Sequence, residues 1–293
     1  MSGTVAHDAR EIAASSPETP KAKVFGLHPV VAYYALALVF SWAVELPLVA
    51  LQQGWIDVPI PFSTHYLASF GPALAALIVT ALVGGRGGMA GLWGSIVKWR
   101  VGWGWAAFAI GSPVALLFFG VVAVTLAQRS WPDLRLFGQV NYLPYLGWWV
   151  LPLWLVTFGF GEEIGWRGFA LPRLQKAMSA PRATLILGLM WVVWHLPAFF
   201  YLDTYQSMPW IVLPGLVFGI LCRAVLLTWL YNGTGGSVLM VAIWHALFDL
   251  VSASNAGQDA IPIAATAGVI AWALFVANVN RPWGFRFQEK HTL

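Results

Sequence analysis

From Leu27 onward the chain is a succession of long apolar runs, interrupted by short stretches rich in glycine, proline and polar residues. A helix crossing a bilayer takes about 20 mainly apolar residues. That template selects eight segments: 27–51, 62–83, 103–126, 142–160, 184–201, 210–231, 238–251 and 261–279. The seventh is the shortest. None of them alternates apolar and polar residues, as the strands of a membrane barrel must, so the predicted class is all-α. The expected molecule is a polytopic membrane protein of about eight transmembrane helices, with no internal repeat and no second domain. Residues 1–23 are polar and read as a disordered cytoplasmic tail without the apolar stretch of a signal peptide. On this reading the first helix itself targets the membrane and stays in the mature protein. Residues 24–280 form the transmembrane domain and 281–293 a cytoplasmic C-terminal tail.

Composition agrees with the patterning. Hydrophobic residues make up 59% of the chain and charged residues 10%, against about 25% charged in a soluble domain, and mean hydropathy is +0.71. The 18 tryptophans suit the aromatic belts at the two lipid–water interfaces. The net charge of +4 does not point to nucleic acid, because the basic residues form no run and no basic face. They act instead as topology signals. With the N-terminus inside, Arg10, Lys21, Lys23, Arg86, Lys98, Arg100, Arg167, Arg173, Lys176, Arg182, Arg281, Arg286 and Lys290 fall on the cytoplasmic side, and Arg129 and Arg135 outside. That bias requires an even number of spans with both termini cytoplasmic; seven spans would put one basic terminus outside. The single cysteine, Cys222, rules out an internal disulfide and multi-thiolate zinc sites, and reads as a packing residue.

Few ionisable residues remain at membrane depth: Glu45, Glu162, Glu163, Arg167, His195, Arg223, His245 and Asp249. Each costs several kcal/mol to insert at the bilayer centre, so its default reading is functional. Glu163 and Arg167 are four apart and share a helix face, where they can pair. Glu162 points about 100° away on a helix of 3.6 residues per turn, free to face a cavity. In the run Trp191-Val192-Val193-Trp194-His195, Trp191 lies one turn before the histidine and can pack on its ring. His245 and Asp249 form another i, i+4 pair, in which the carboxylate can orient the imidazole. Singly, each group has a bland explanation: an interfacial ion pair, a satisfied core histidine, a local hydrogen bond. Jointly, glutamates, two histidines and an aspartate on three helices are a set that can hold and activate water. The carboxylate accepts the proton, and the histidines either ligate a metal or donate to the developing oxyanion. The reaction class is hydrolysis of an acyl bond, a peptide bond foremost. Neither the helical zinc-protease motif H-E-x-x-H nor the G-x-S-x-G nucleophile elbow occurs. Ser237, after Gly235-Gly236, reads as a helix start.

E-E-x-x-x-R at Glu162, Glu163 and Arg167, an aromatic-x-x-x-His at Trp191 and His195, and H-x-x-x-D at His245 and Asp249 follow one another on successive apolar segments. This order resembles the CPBP intramembrane proteases, which include the type II CAAX prenyl endopeptidases and bacterial relatives, some linked to bacteriocin self-immunity. The string GEEIGWRGFALPRLQ is similar to bacterial members. The resemblance implies an intramembrane endopeptidase in a bacterial plasma membrane, acting on a peptide or membrane-protein substrate, with membrane lipid as its other partner. Glu162 would be the general base, assisted by His195. Glu163 and Arg167 would organise the site, and His245 with Asp249 would stabilise the oxyanion or position water. The family is commonly named for metalloproteases, so zinc or another divalent metal is a candidate cofactor, with Glu162, His195 and His245 as its three protein ligands. Two departures stand out: Trp191 replaces the usual Phe, and Asp249 replaces the Asn of the prenyl-protein enzymes. An ionised aspartate cannot donate to an oxyanion, so Asp249 must be protonated or act otherwise, by orienting His245 or helping to bind a metal. Bacteria generally lack prenylated CAAX proteins, so the resemblance does not carry prenyl-cysteine cleavage with it.

Two other functions compete with the protease. One is a non-proteolytic scaffold or immunity-type protein of the same fold; the other is a transporter using the carboxylates as proton carriers. A fourth segment ending at Phe160 would leave Glu162 near the cytoplasmic surface. The apolar positions Ile164, Trp166, Phe169 and Leu171 predict that this helix runs further and sinks the glutamates, in a site opening toward the cytoplasm. Glu45 is expected near the outer end of the first span and Arg223 nearer the cytoplasm, too far apart to pair.

Overall fold

A computed structural model describes residues 23–140, 146–255 and 260–279. The two tails lie outside the described residues, together with Arg10, Lys21, Arg281, Arg286, Lys290 and the start of the expected fourth segment. The protein is an all-α polytopic membrane protein, and no β-strand occurs among the described residues. Eight helices correspond to the eight apolar segments. They are α1 Pro29–Gln52, α2 Gly71–Ile96, α3 Trp103–Gln128, α4 over 150–177, α5 Ala180–Trp194, α6 Leu213–Gly233, α7 Val238–Ser252 and α8 Ala260–Val279.

By length and hydropathy, six helical stretches can cross a bilayer: those containing α1, α2, α3, α5, α6 and α8. The other two of the eight differ for physical reasons. At 15 residues α7 is about 22 Å long, short of the roughly 30 Å hydrocarbon core. It is wrapped by α3, α4, α6 and α8, so protein rather than lipid surrounds it. Ser237 starts it as a true N-cap, its hydroxyl accepting from the Met240 N–H at 3.2 Å. In α4, an α-helical turn at Val150–Trp154 leads into π-helical stretches at Leu155–Glu162 and Ile164–Ala170, then back to α-helix at Leu171–Ala177. The helix therefore continues well past Phe160, and Glu162 and Glu163 sit near its middle. Wide π turns are rare and gather at functional sites.

The second apolar segment stops at Val83 for a visible reason: α2 breaks at Gly85, whose φ of +51° suits only glycine, and then continues to Ile96. α4 packs tightly against α2 because it presents glycine there. A Cβ on Gly165 would lie 2.5 Å from Pro72 Cβ and 2.6 Å from its backbone, and one on Gly161 would lie 2.7 Å from the Ser69 carbonyl. Gly165→Ala is therefore expected to force the two helices apart, with the cost of overpacking, about 1–3 kcal/mol. A lowered melting temperature of the detergent-solubilised protein would show it; an unchanged one would contradict this packing.

Two sets of tryptophans stand out among the described residues. Trp55, Trp93, Trp99, Trp103, Trp131, Trp148, Trp149 and Trp210 are exposed at helix ends, as interfacial belts require. Trp154, Trp166, Trp191, Trp194 and Trp244 are instead buried, which the belt expectation did not foresee. Several of them tie helices together through the indole N–H. Trp194 donates to Ser41 of α1 at 2.6 Å and Trp244 to Ser112 of α3 at 2.8 Å. In lipid such bonds add to packing where no hydrophobic force separates helix from solvent. Cys222 is buried in the core, a packing residue as expected.

Candidate active site

Four helices place the ionisable residues in one buried cluster. α4 contributes Glu162, Glu163 and Arg167, α5 ends with Trp191 and His195 as its C-cap, α6 contributes Arg223, and α7 contributes His245 and Asp249. Opposite charges alternate along the cluster. Arg167 donates through Nη1 to both oxygens of Glu163, at 2.9 and 3.1 Å. Glu163 Oε1 lies 2.8 Å from His245 Nδ1, and His245 Nε2 lies 3.4 Å from Asp249 Oδ2. Asp249 Oδ1 in turn lies 3.5 Å from Arg223 Nη1. Arg167 and Glu163 are both 0% exposed and His245 is 2% exposed, so each charge depends on its partner rather than on water.

Glu162 stands beside this chain, held by Trp191. The Trp191 Nε1–H donates to Glu162 Oε2 at 2.9 Å, while the Trp191 backbone carbonyl lies 2.7 Å from His195 Nδ1. A carbonyl only accepts, so His195 carries its proton on Nδ1 and presents a bare Nε2. One residue thus anchors both Glu162 and His195. The same indole packs against the rings of His195 and His245, at centroid distances of 5.6 and 5.5 Å. The Arg167 guanidinium lies 4.9 Å and the Arg223 guanidinium 5.7 Å from its ring centroid.

His245 faces a carboxylate from each nitrogen. Its Nδ1–H donates to Glu163, and two acceptors cannot meet at Nε2, so one proton lies between Nε2 and Asp249. The cluster therefore holds a proton shared between His245 and Asp249, and a carboxylate and an imidazole, Glu162 and His195, that both contact Trp191.

A family model described as type II CAAX prenyl endopeptidase Rce1-like matches residues 144–251. The Rce1-like stretch contains all six motif residues. A curated relative, "CAAX prenyl protease 2" of Methanococcus maripaludis, is 33% identical over 106 residues, which are 34% of this chain and 38% of that protein. The chain thus spans less than half of the length of the relative it matches.

All six motif residues of the Rce1-like stretch come together in the structure, with two differences from the pairings expected. The shorter carboxylate contact of His245 is to Glu163 on α4, not to Asp249 one turn away. Trp191 packs on His195 as expected, but it also hydrogen-bonds Glu162, a contact that spacing along one helix cannot reveal. Arg223, without a role in the sequence, belongs to the cluster through Asp249. It lies at the middle of α6, ten residues from Leu213 and ten from Gly233, rather than toward one end. Glu45 makes no hydrogen bond to a motif residue but lies within electrostatic range of Glu162. It accepts from the Tyr201 hydroxyl at 3.2 Å, and that hydroxyl lies 2.5 Å from His65 Nδ1. Glu45 and Arg223 do not pair, in line with the sequence.

The metal ligand set is a different matter. Among the described residues no three His, Cys, Asp or Glu side chains form a group able to hold a metal ion. Both nitrogens of His245 face carboxylates, so His245 is not presented to a metal together with Glu162 and His195, and the arrangement does not fit these three as a joint ligand set.

The Trp191 N–H is the element that phenylalanine at this position would lack. A hydrogen bond to a charged group contributes roughly 1.5–3 kcal/mol. Trp191→Phe is expected to keep the ring packing and to destabilise the protein by about that amount, and Trp191→Ala to cost more. Equal melting temperatures for wild type and Trp191→Phe would show that the bond to Glu162 does not stabilise the cluster.

Proposed function

We propose that this chain is an intramembrane endopeptidase that hydrolyses a peptide bond with water activated by Glu162 and His195. The observation carrying the reading is that Trp191 anchors both of these groups while His245 offers a hydrogen-bond donor in the same buried cluster. The match to the Rce1-like family and the name of the archaeal relative support the reaction class.

The steps follow from the donors and acceptors. A water between Glu162 and the bare Nε2 of His195 gives a proton to the Glu162 carboxylate as its oxygen attacks the scissile carbonyl carbon. The carbonyl π electrons move onto oxygen, and the resulting oxyanion accepts from His245 Nε2–H. The oxyanion collapses, the C–N bond breaks, and the departing amine takes the proton from Glu162. A carboxylic acid and an amine are released and Glu162 is again ionised. Glu163, held by Arg167, accepts from the His245 Nδ1–H and favours the doubly protonated ring, the form that has an Nε2–H to donate.

The bias of basic residues supports a site opening toward the cytoplasm of a bacterial plasma membrane. The substrate is a peptide or membrane protein, and prenylation is not required by anything in the cluster.

Quantitative profiling of new protein termini in cells expressing wild type or Glu162→Gln at equal levels tests the proposal. Termini present with wild type and lost with the variant are expected, and they name candidate substrates. Identical termini profiles across several growth conditions would overturn the protease reading in favour of a scaffold.

A further inference from the structure

An arginine at the middle of α6 is the feature that the catalytic steps above do not use. Arg223 is about 15 Å from either end of its helix at 1.5 Å per residue, beyond the reach of a side chain snorkelling to the interface. A cation held there is costly and calls for a partner and a purpose. Its partner is Asp249, at 3.5 Å, the position where the prenyl-protein enzymes of this family resemblance carry Asn. Its surroundings are those of the reaction: the guanidinium carbon lies 4.4 Å from the Phe248 ring centroid and 5.7 Å from that of Trp191, which anchors Glu162 and His195.

Asn and Asp differ here in one chemical respect. An amide N–H can donate to an oxyanion, and an ionised carboxylate cannot. Asp249 is spoken for on both oxygens, one toward His245 and one toward Arg223. Arg223 has five N–H donors, of which Nη1 meets Asp249, and its buried Nε–H has no protein partner. Resting on the endopeptidase reading, we propose that Arg223 is a catalytic residue of this chain, its guanidinium donating to the substrate's oxyanion beside His245, with Asp249 as its positioning residue. Arg223 keeps all its protons throughout, and only a hydrogen bond forms and is released.

The test uses the full chain in detergent and, as probe, an internally quenched peptide spanning a cleavage site that depends on Glu162. Arg223→Ala is expected to lower kcat about 10²- to 10³-fold, the effect of removing one oxyanion donor, with KM changed only a few-fold. Adding Asp249→Asn to Arg223→Ala is expected to restore at least ten-fold of that loss, because the amide supplies a donor. A purely structural ion pair is separated by Arg223→Ala with Asp249→Ala, which also relieves the orphaned charge but supplies no donor, so kcat per folded protein is expected to stay low there and to return only with Asp249→Asn. Should Arg223→Ala fail to fold, Arg223→Lys keeps the charge opposite Asp249 but loses the planar fork, and is expected to lower kcat at least ten-fold. Arg223 variants within three-fold of wild-type kcat, or a loss that Asp249→Asn leaves untouched, would overturn the proposal. If wild type shows no Glu162-dependent cleavage at all, the endopeptidase reading falls and this inference falls with it.

Discussion

Replacing Arg167 with leucine is expected to destabilise the protein by about 3–5 kcal/mol, the cost of leaving a buried charge without its partner. Glu163 and Arg167 are 0% exposed, so no water can take over when one is removed. The orphaned Glu163 would retain only His245, which itself faces a second carboxylate in Asp249. Two carboxylates would then compete for one imidazole in a medium that screens poorly. A sharp drop in melting temperature in detergent, with loss of folded protein at growth temperature, is the expected readout. Removing both charges, as Glu163→Gln with Arg167→Leu, is expected to recover part of that stability. Single and double variants that melt with wild type would show that the pair does not stabilise the bundle.

Glu162→Gln has the opposite profile. The amide keeps an oxygen to accept from the Trp191 N–H, so the fold and the melting temperature should be nearly unchanged. A glutamine cannot take the proton of the attacking water, and loss of a general base costs roughly 10²- to 10⁴-fold in kcat. The comparison of the two variants separates roles that share one helix turn: Arg167 acts on stability and Glu162 on turnover. Turnover of Glu162→Gln within a few-fold of wild type, at normal expression, would remove Glu162 from the chemistry and shift attention to His195.

The positions of all eight helices were legible because membrane insertion is decided by local composition, and the apolar runs are long. The second apolar run ends at Val83, just before the break at Gly85, but the continuation of α2 to Ile96 was not legible in it. Within the cluster, the pairs that spacing predicts are present: Glu163 with Arg167, and His245 with Asp249, each at i, i+4. The continuation of α4 past Phe160 was announced by Ile164, Trp166, Phe169 and Leu171, but its π-helical form was not. Within it, Gly161 and Gly165 approach Ser69 and Pro72, a contact made by another part of the chain. The tryptophans misled for the same reason, since composition counts side chains without saying which end up between helices.

What the sequence by itself determined is the set of helices, the ionisable groups each carries, and the face that neighbours at four residues share. The helical period alone settles these. Which helices meet, and in what register, was decided only by tertiary packing. Glu163 reaches His245 across 82 residues, Trp191 reaches Glu162 across 29, and Arg223 reaches Asp249 across 26. These bonds convert separate motifs into one site. They carry no local signature, because each is fixed by the interlocking of side chains from two helices and by the high cost of leaving a buried charge or donor unpaired.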